Sequence, residues 1–150
     1  MMPEFEDLYR EIILDHSKRP RNFGPLEGAT AAAEGYNPLC GDKVTVQLKL
    51  EKGVVAGAGF QGSGCAISTA SASLMTECLK GKTRAEAENL FERFHDLLTG
   101  DTAPAELGKL AVFSGVRQYP VRVKCATLAW HTMRAALHSS GETVLRVSTE

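Results

Sequence analysis

Hydrophobic positions along the chain change period several times, and each change marks an element. Phe5, Leu8, Tyr9, Ile12 and Ile13 recur at helical spacing among Glu6, Arg10, Glu11 and Asp15, which predicts an amphipathic helix ending before Lys18. The stretch Lys18-Arg19-Pro20-Arg21-Asn22-Phe23-Gly24-Pro25 then breaks regular structure, and its small basic cluster reads as a solvated helix end. Val44, Val46, Leu48 and Leu50 alternate with Lys43, Thr45, Gln47 and Lys49, the mark of a strand with one wet face. Glu51-Lys52-Gly53 turns the chain so that Val54 to Phe60 can pair back, and the alanine-rich segment before Tyr36 can add a third strand.

From Cys65 the period becomes helical as far as about Lys80, with Ile67, Ala70, Leu74 and Cys78 on one stripe and Gly81 as the stop. Thr83-Arg84-Ala85-Glu86 is a capping box opening a helix that buries Ala87, Leu90, Phe91, Phe94, Leu97 and Leu98. Residues 105 to 120 fit either a short helix or irregular chain. A last helix, about Val121 to His138, buries Ala126, Ala129, Trp130, Met133 and Leu137, and a loosely held tail follows from Ser139. Strands grouped before helices predict an α+β fold: a small antiparallel three-stranded sheet with helices packed on one face. At 150 residues without internal repeats, the expectation is one domain spanning 1–150.

Composition excludes more than it proposes. Hydrophobic residues at 43%, charged residues at 23% and a net charge of -1 suit an ordinary globular protein, with no bias toward nucleic acid or an anionic membrane. No apolar run approaches the roughly 18 residues of a membrane span. The acidic start lacks the order of a signal peptide, so the expected location is cytoplasmic, where cysteines serve as metal ligands or reactive thiols before disulfides.

Three cysteines stand in distinctive settings: Cys40 in Asn37-Pro38-Leu39-Cys40-Gly41-Asp42, Cys65 behind Gly62-Ser63-Gly64, and Cys125 after Arg122-Val123-Lys124. If the backbone is extended, Cys40 and Asp42 point the same way, and Gly41 leaves room between them. Cys65 falls at a helix start, where unpaired N–H groups favour a thiolate, and the cations beside Cys125 act in the same direction. Three soft thiolates and one hard carboxylate can close a tetrahedron around a metal, although the spacing is only moderately specific. Cys78 completes an apolar stripe and reads as core packing. His16, His95, His131 and His138 read as solvated, so no Cys–His hydrolase can be assembled, and Trp130 reads as core. Gly57, Gly59, Gly62 and Gly64 lack the strand–helix–strand frame of a dinucleotide fingerprint.

These motifs resemble the iron–sulfur cluster assembly scaffolds of the IscU/SufU type, over about residues 5 to 138. The resemblance rests on Tyr9 to His16, Arg19 to Gly24, Asn37 to Asp42, Phe60 to Ser68 and Lys124 to Trp130, in that order. It implies ligands at Cys40, Asp42, Cys65 and Cys125, holding Zn²⁺, Fe²⁺ or a transient [2Fe–2S] cluster, with Asp42 as the weak corner. It implies a cysteine desulfurase as sulfur donor, Cys125 as acceptor with Cys40 next, and apo-proteins or downstream carriers as recipients. Such a protein is a scaffold or sulfur acceptor more than a stand-alone enzyme. Cys65 and Cys125 are 60 positions apart, which looks like the SufU branch with its insertion, and Lys124 stands where IscU-type scaffolds usually carry histidine. Gly115 to Val121 replaces the chaperone-recognition stretch of that branch. The competing reading from a different class is a structural zinc-binding interaction domain without sulfur chemistry.

Overall fold

The computed structural model describes residues 3–38, 41–100, 104–138 and 145–148. Helix α1 (Pro3–Lys18) leads into strands β1 (Ala31–Asn37), β2 (Asp42–Glu51) and β3 (Val54–Ser63). Helices α2 (Ala66–Leu79) and α3 (Arg84–Thr99) follow, then 3₁₀ turns over Pro104–Gln118 broken at Gly108, helix α4 (Pro120–Leu137) and strand β4 (Leu145–Ser148). The expected α+β arrangement and its three antiparallel strands are present. The sheet order is β3-β2-β1-β4, and β4 joins the outer edge of β1 in parallel, pairing Ala33 with Leu145 and Tyr36 with Ser148. That strand comes from the stretch read from sequence as a loose tail; Leu145-Arg146-Val147-Ser148 does alternate, but four residues are too few to name a parallel partner so distant in the chain.

The alternation in β2 does what it predicts. Val44, Val46 and Leu48 are buried, and Lys43 on the opposite face is exposed. Helix α4 lies against the buried faces of β1 and β2, and α2 packs between α1, α4 and β3. The approach of α4 is close because β1 carries glycine at its centre. A Cβ on Gly35 would overlap Thr132 Oγ1 and touch a methyl group of Leu128.

Helix α2 is buried more completely than its predicted stripe, from Ala70 through Thr76. Its alanines and serines permit helices to approach from two sides, and the hydroxyls find partners. Ser71 Oγ donates to the Ala126 carbonyl at 2.5 Å and accepts from Trp130 Nε1–H at 3.0 Å. Trp130 in turn stacks on Phe94 at 4.4 Å, which meets Phe113 edge to face at 5.6 Å. Trp130 is therefore the core residue expected. The capping box at Thr83 forms in both directions, with Glu86 N–H to Thr83 Oγ1 at 3.1 Å and Thr83 N–H to Glu86 Oε1 at 3.0 Å.

Two histidines depart from the solvated reading. His16 is 4% exposed, because α2 offers it a hydroxyl. Ser73 Oγ accepts the Arg21 N–H at 2.8 Å and is hydrogen-bonded with His16 Nδ1 at 2.7 Å. The other ring nitrogen, Nε2, faces Glu77 Oε1 at 3.5 Å. Burial, seconded by the Arg21 charge, lowers the His16 pKa despite Glu77 and Asp15. His131 is half-buried edge-on to Phe91, and burial lowers its pKa too, with His95 adding to the effect. His95 and His138 are exposed, the latter paired with Glu88 at 2.5 Å. Among the described residues, no helix is long and apolar enough to cross a membrane.

Two outcomes follow from this packing. Gly35→Val forces β1 and α4 apart and costs about 1–3 kcal/mol, read as a lower urea midpoint. A midpoint equal to that of the wild type contradicts the close approach. Because His16 is held neutral, the unfolded chain takes up the extra proton once pH falls below about 6.5, so stability is full above that pH and drops below it. His16→Asn is expected to narrow the difference in urea midpoint between pH 7.5 and pH 5.5. An unchanged difference counts against His16 as its source.

Candidate metal centre

Three elements deliver one side chain each to a common point. Asp42 opens β2, Cys65 precedes the first residue of α2, and Cys125 lies in the second turn of α4. One ligand atom from each of Asp42, Cys65 and Cys125 falls within 4.8 Å of the others, the only such grouping of three metal-capable side chains among the described residues.

Cys65 occupies the N-cap position with extended backbone (φ -70, ψ 169), and its Sγ accepts the Ser68 N–H at 3.4 Å. The helix start thus turns its free N–H groups toward sulfur, as the sequence suggests. Asp42 is only 1% exposed. Its Oδ1 accepts the Cys65 N–H at 2.9 Å, and its Oδ2 lies 3.7 Å from Cys65 Sγ. A buried carboxylate needs donors or a cation against its oxygens, and Cys65 stands beside it at the exposed edge of the site. Cys125 is 3% exposed and receives the Asn37 side-chain amide, Nδ2 to Sγ, at 4.0 Å. Cys65 is the exposed thiol of the pair.

The fourth expected ligand, Cys40, lies outside the described residues. Next to it, Gly41 departs from the extended backbone assumed for Cys40 and Asp42. Its φ is +72, and its N–H closes a turn onto the Asn37 carbonyl at 2.8 Å. That left-handed backbone favours glycine whatever the space around it. Asn37 is fully buried at the end of β1, in register with Asp42. The sequence marks it only as a turn residue; its contact with a sulfur 88 positions away has no local signal.

The cations expected to act on Cys125 divide in role. Arg122 is exposed and lies over the Tyr119 ring, 4.7 Å from its centroid, while Lys124 is half-buried. Cys78 is partly buried against the core, and burial raises its pKa, as a packing cysteine requires. The described cysteines Cys65, Cys78 and Cys125 are free thiols.

The donor set fits a thiophilic divalent ion. Two ligands about 2.3 Å from a shared tetrahedral ion stand roughly 3.7 Å apart, so atoms already within 4.8 Å need only modest side-chain adjustment. Two thiols and a buried carboxylate match the sulfur-rich, mixed donors that zinc or iron accepts.

Residues 8–126 match the family described as NifU-like N terminal domain. The chain is 38% identical over 141 residues to the iron-sulfur cluster assembly scaffold protein IscU of Streptococcus pyogenes serotype M1, covering 93% of this chain and 88% of that protein. It is 40% identical over 130 residues to the zinc-dependent sulfurtransferase SufU of Bacillus subtilis strain 168, covering 85% and 88%. Its structure superposes on that of SufU from thermophilic Fervidobacterium islandicum AW-1 with a TM-score of 0.81 and 37% identity, over 88% of this chain and 98% of that one. A match over most of the chain, joined to relatives of this identity along most of their length, leaves one assignment: this chain belongs to the NifU-like N-terminal domain family.

Proposed function

We propose that this protein takes part in iron–sulfur cluster assembly, accepting sulfur from a cysteine desulfurase at a centre made by Cys40, Asp42, Cys65 and Cys125. The observation that carries the reading is the convergence of Asp42, Cys65 and Cys125 from three separate elements onto one point. The chain's relatives, a scaffold for cluster assembly and a zinc-dependent sulfurtransferase, supply the chemical class. Free thiols suit a reducing compartment, which makes the cytoplasm the proposed location.

Zinc, when bound, would be held by these four side chains and would supply a Lewis acid that keeps its thiol ligands deprotonated. An iron–sulfur cluster in transit is cargo for the same donors. Sulfur enters by thiol exchange. The Cys125 thiolate attacks the terminal sulfur of a persulfide on the desulfurase cysteine. The donor's S–S bond breaks, its cysteine leaves as a thiolate, and a new S–S bond forms on Cys125. The transferred sulfur keeps its oxidation state, so no further oxidant or reductant is required. Cys40 is the next candidate acceptor. Burial of Cys125 makes the exposed Cys65 side of the centre the direction of approach. Recipients of the product, apo-proteins or downstream carriers, belong to the same proposal.

Zinc content and persulfide formation test this together. Freshly purified wild-type protein is expected to carry zinc in proportion to chain and to show the mass of an added sulfur on Cys125 after incubation with desulfurase and cysteine. Cys125→Ser is expected to lose most of the zinc and all of that added mass. A Cys125→Ser protein that keeps its zinc and raises desulfurase turnover like the wild type contradicts the assignment. Cys78→Ala is expected to leave zinc content unchanged and to cost about 1 kcal/mol through lost packing; a fall in zinc with the fold intact would make Cys78 a ligand.

A further inference from the structure

Asn37 holds a position that the ligand set does not account for. It is fully buried at the last residue of β1. Its register partner across the sheet is Asp42, its carbonyl accepts the Gly41 N–H at 2.8 Å, and its side-chain amide points Nδ2 at Cys125 Sγ, 4.0 Å away. One residue therefore touches both the turn that leads into Asp42 and the sulfur carried by α4. A buried primary amide must place its donors on acceptors, and here one donor is placed on a sulfur. Sulfur is a weak acceptor as a thiol and a far better one when it carries negative charge, in a thiolate, a metal-bound sulfur or a persulfide.

We propose that Asn37 is a positioning residue for the sulfur centre. Its amide orients Cys125 Sγ toward Asp42 and Cys65 and draws off negative charge from that sulfur, while its carbonyl holds the turn onto the same point. The inference rests on the reading of Cys125 as a ligand. Groups that orient metal ligands in this way are commonly worth about 10–100-fold in metal affinity. A strand end that merely needs a polar residue would carry no such dependence on the Cys125 sulfur.

Cobalt(II) is the probe, because sulfur-to-cobalt charge transfer reports the electron density on each sulfur ligand. Metal-free wild type, Asn37→Leu, Asn37→Ser and Cys125→Ser are titrated with cobalt(II) chloride anaerobically, with folding checked by thermal melting. Leucine keeps the approximate size without a donor, and the serine hydroxyl is too short to reach Sγ. In each folded Asn37 variant the dissociation constant is expected to rise about 10-fold or more, and the charge-transfer band to move to longer wavelength as the donated N–H is lost. Unchanged affinity and band position in the Asn37 variants, beside a clear loss of charge-transfer intensity in Cys125→Ser, overturns the role of Asn37 and leaves the ligand set standing. No change in any variant, Cys125→Ser included, overturns the ligand reading itself and this inference with it. A measurement on the native residue covers the case in which neither Asn37 variant folds. In ¹⁵N-labelled protein, the Asn37 side-chain amide signal is expected to shift on Cys125→Ala, while that of the exposed Asn89 on α3 stays in place. A stationary Asn37 signal contradicts the contact.

Discussion

A carboxylate withdrawn from water beside a sulfur is the constraint on which this structure turns. Asp42 is 1% exposed, and its two oxygens face the Cys65 N–H and the Cys65 sulfur. Such a group is costly unless donors or a cation meet it, and the start of α2 supplies a donor through the Cys65 N–H. The N-terminus of α2 offers main-chain N–H groups and a positive dipole end, and α4 brings a second thiol from the other side. The site is a point where a strand start, a helix start and a helix face meet, and each element needs the others to keep its polar group satisfied.

The packing behind the site explains why that meeting point is held in place. Small residues on α2 let α1 and α4 approach closely, and the hydroxyls that come with them are bonded across helix boundaries. Trp130 locks α4 to α2 through Ser71, and the stacked Phe94 extends the contact to α3. Gly35 lets α4 settle on the sheet, which sets how far Cys125 stands from β1 and β2. These contacts tie the elements that carry Asp42, Cys65 and Cys125 to one another.

Local patterns made much of this legible in the sequence. The alternation of β2, the capping box at Thr83 and the glycine-flanked start of α2 at Cys65 are encoded by residues a few positions apart, and the structure follows them. Ligand types could be named from sulfur and carboxylate chemistry, but the set of four came from resemblance, since no spacing rule links Cys65 to a helix 60 positions later. What escaped was non-local. His16 looked like a solvated helix end because nothing near it in sequence announces Ser73. Strand β4 escaped because a parallel partner is specified by the sheet edge it joins. The left-handed turn at Gly41 is a second reason for glycine there, one that the residues around it do not announce. Asn37 hid inside a turn signal that any Asn-Pro pair would give.

The most direct test of the proposed centre is zinc K-edge X-ray absorption on the freshly purified protein, which counts sulfur and lighter neighbours around the metal. The account expects three sulfurs near 2.3 Å and one oxygen near 2.0–2.2 Å, from Cys40, Cys65, Cys125 and Asp42. A shell made only of oxygen and nitrogen, or one that keeps all its sulfurs when Cys65 and Cys125 are both replaced by serine, would contradict it.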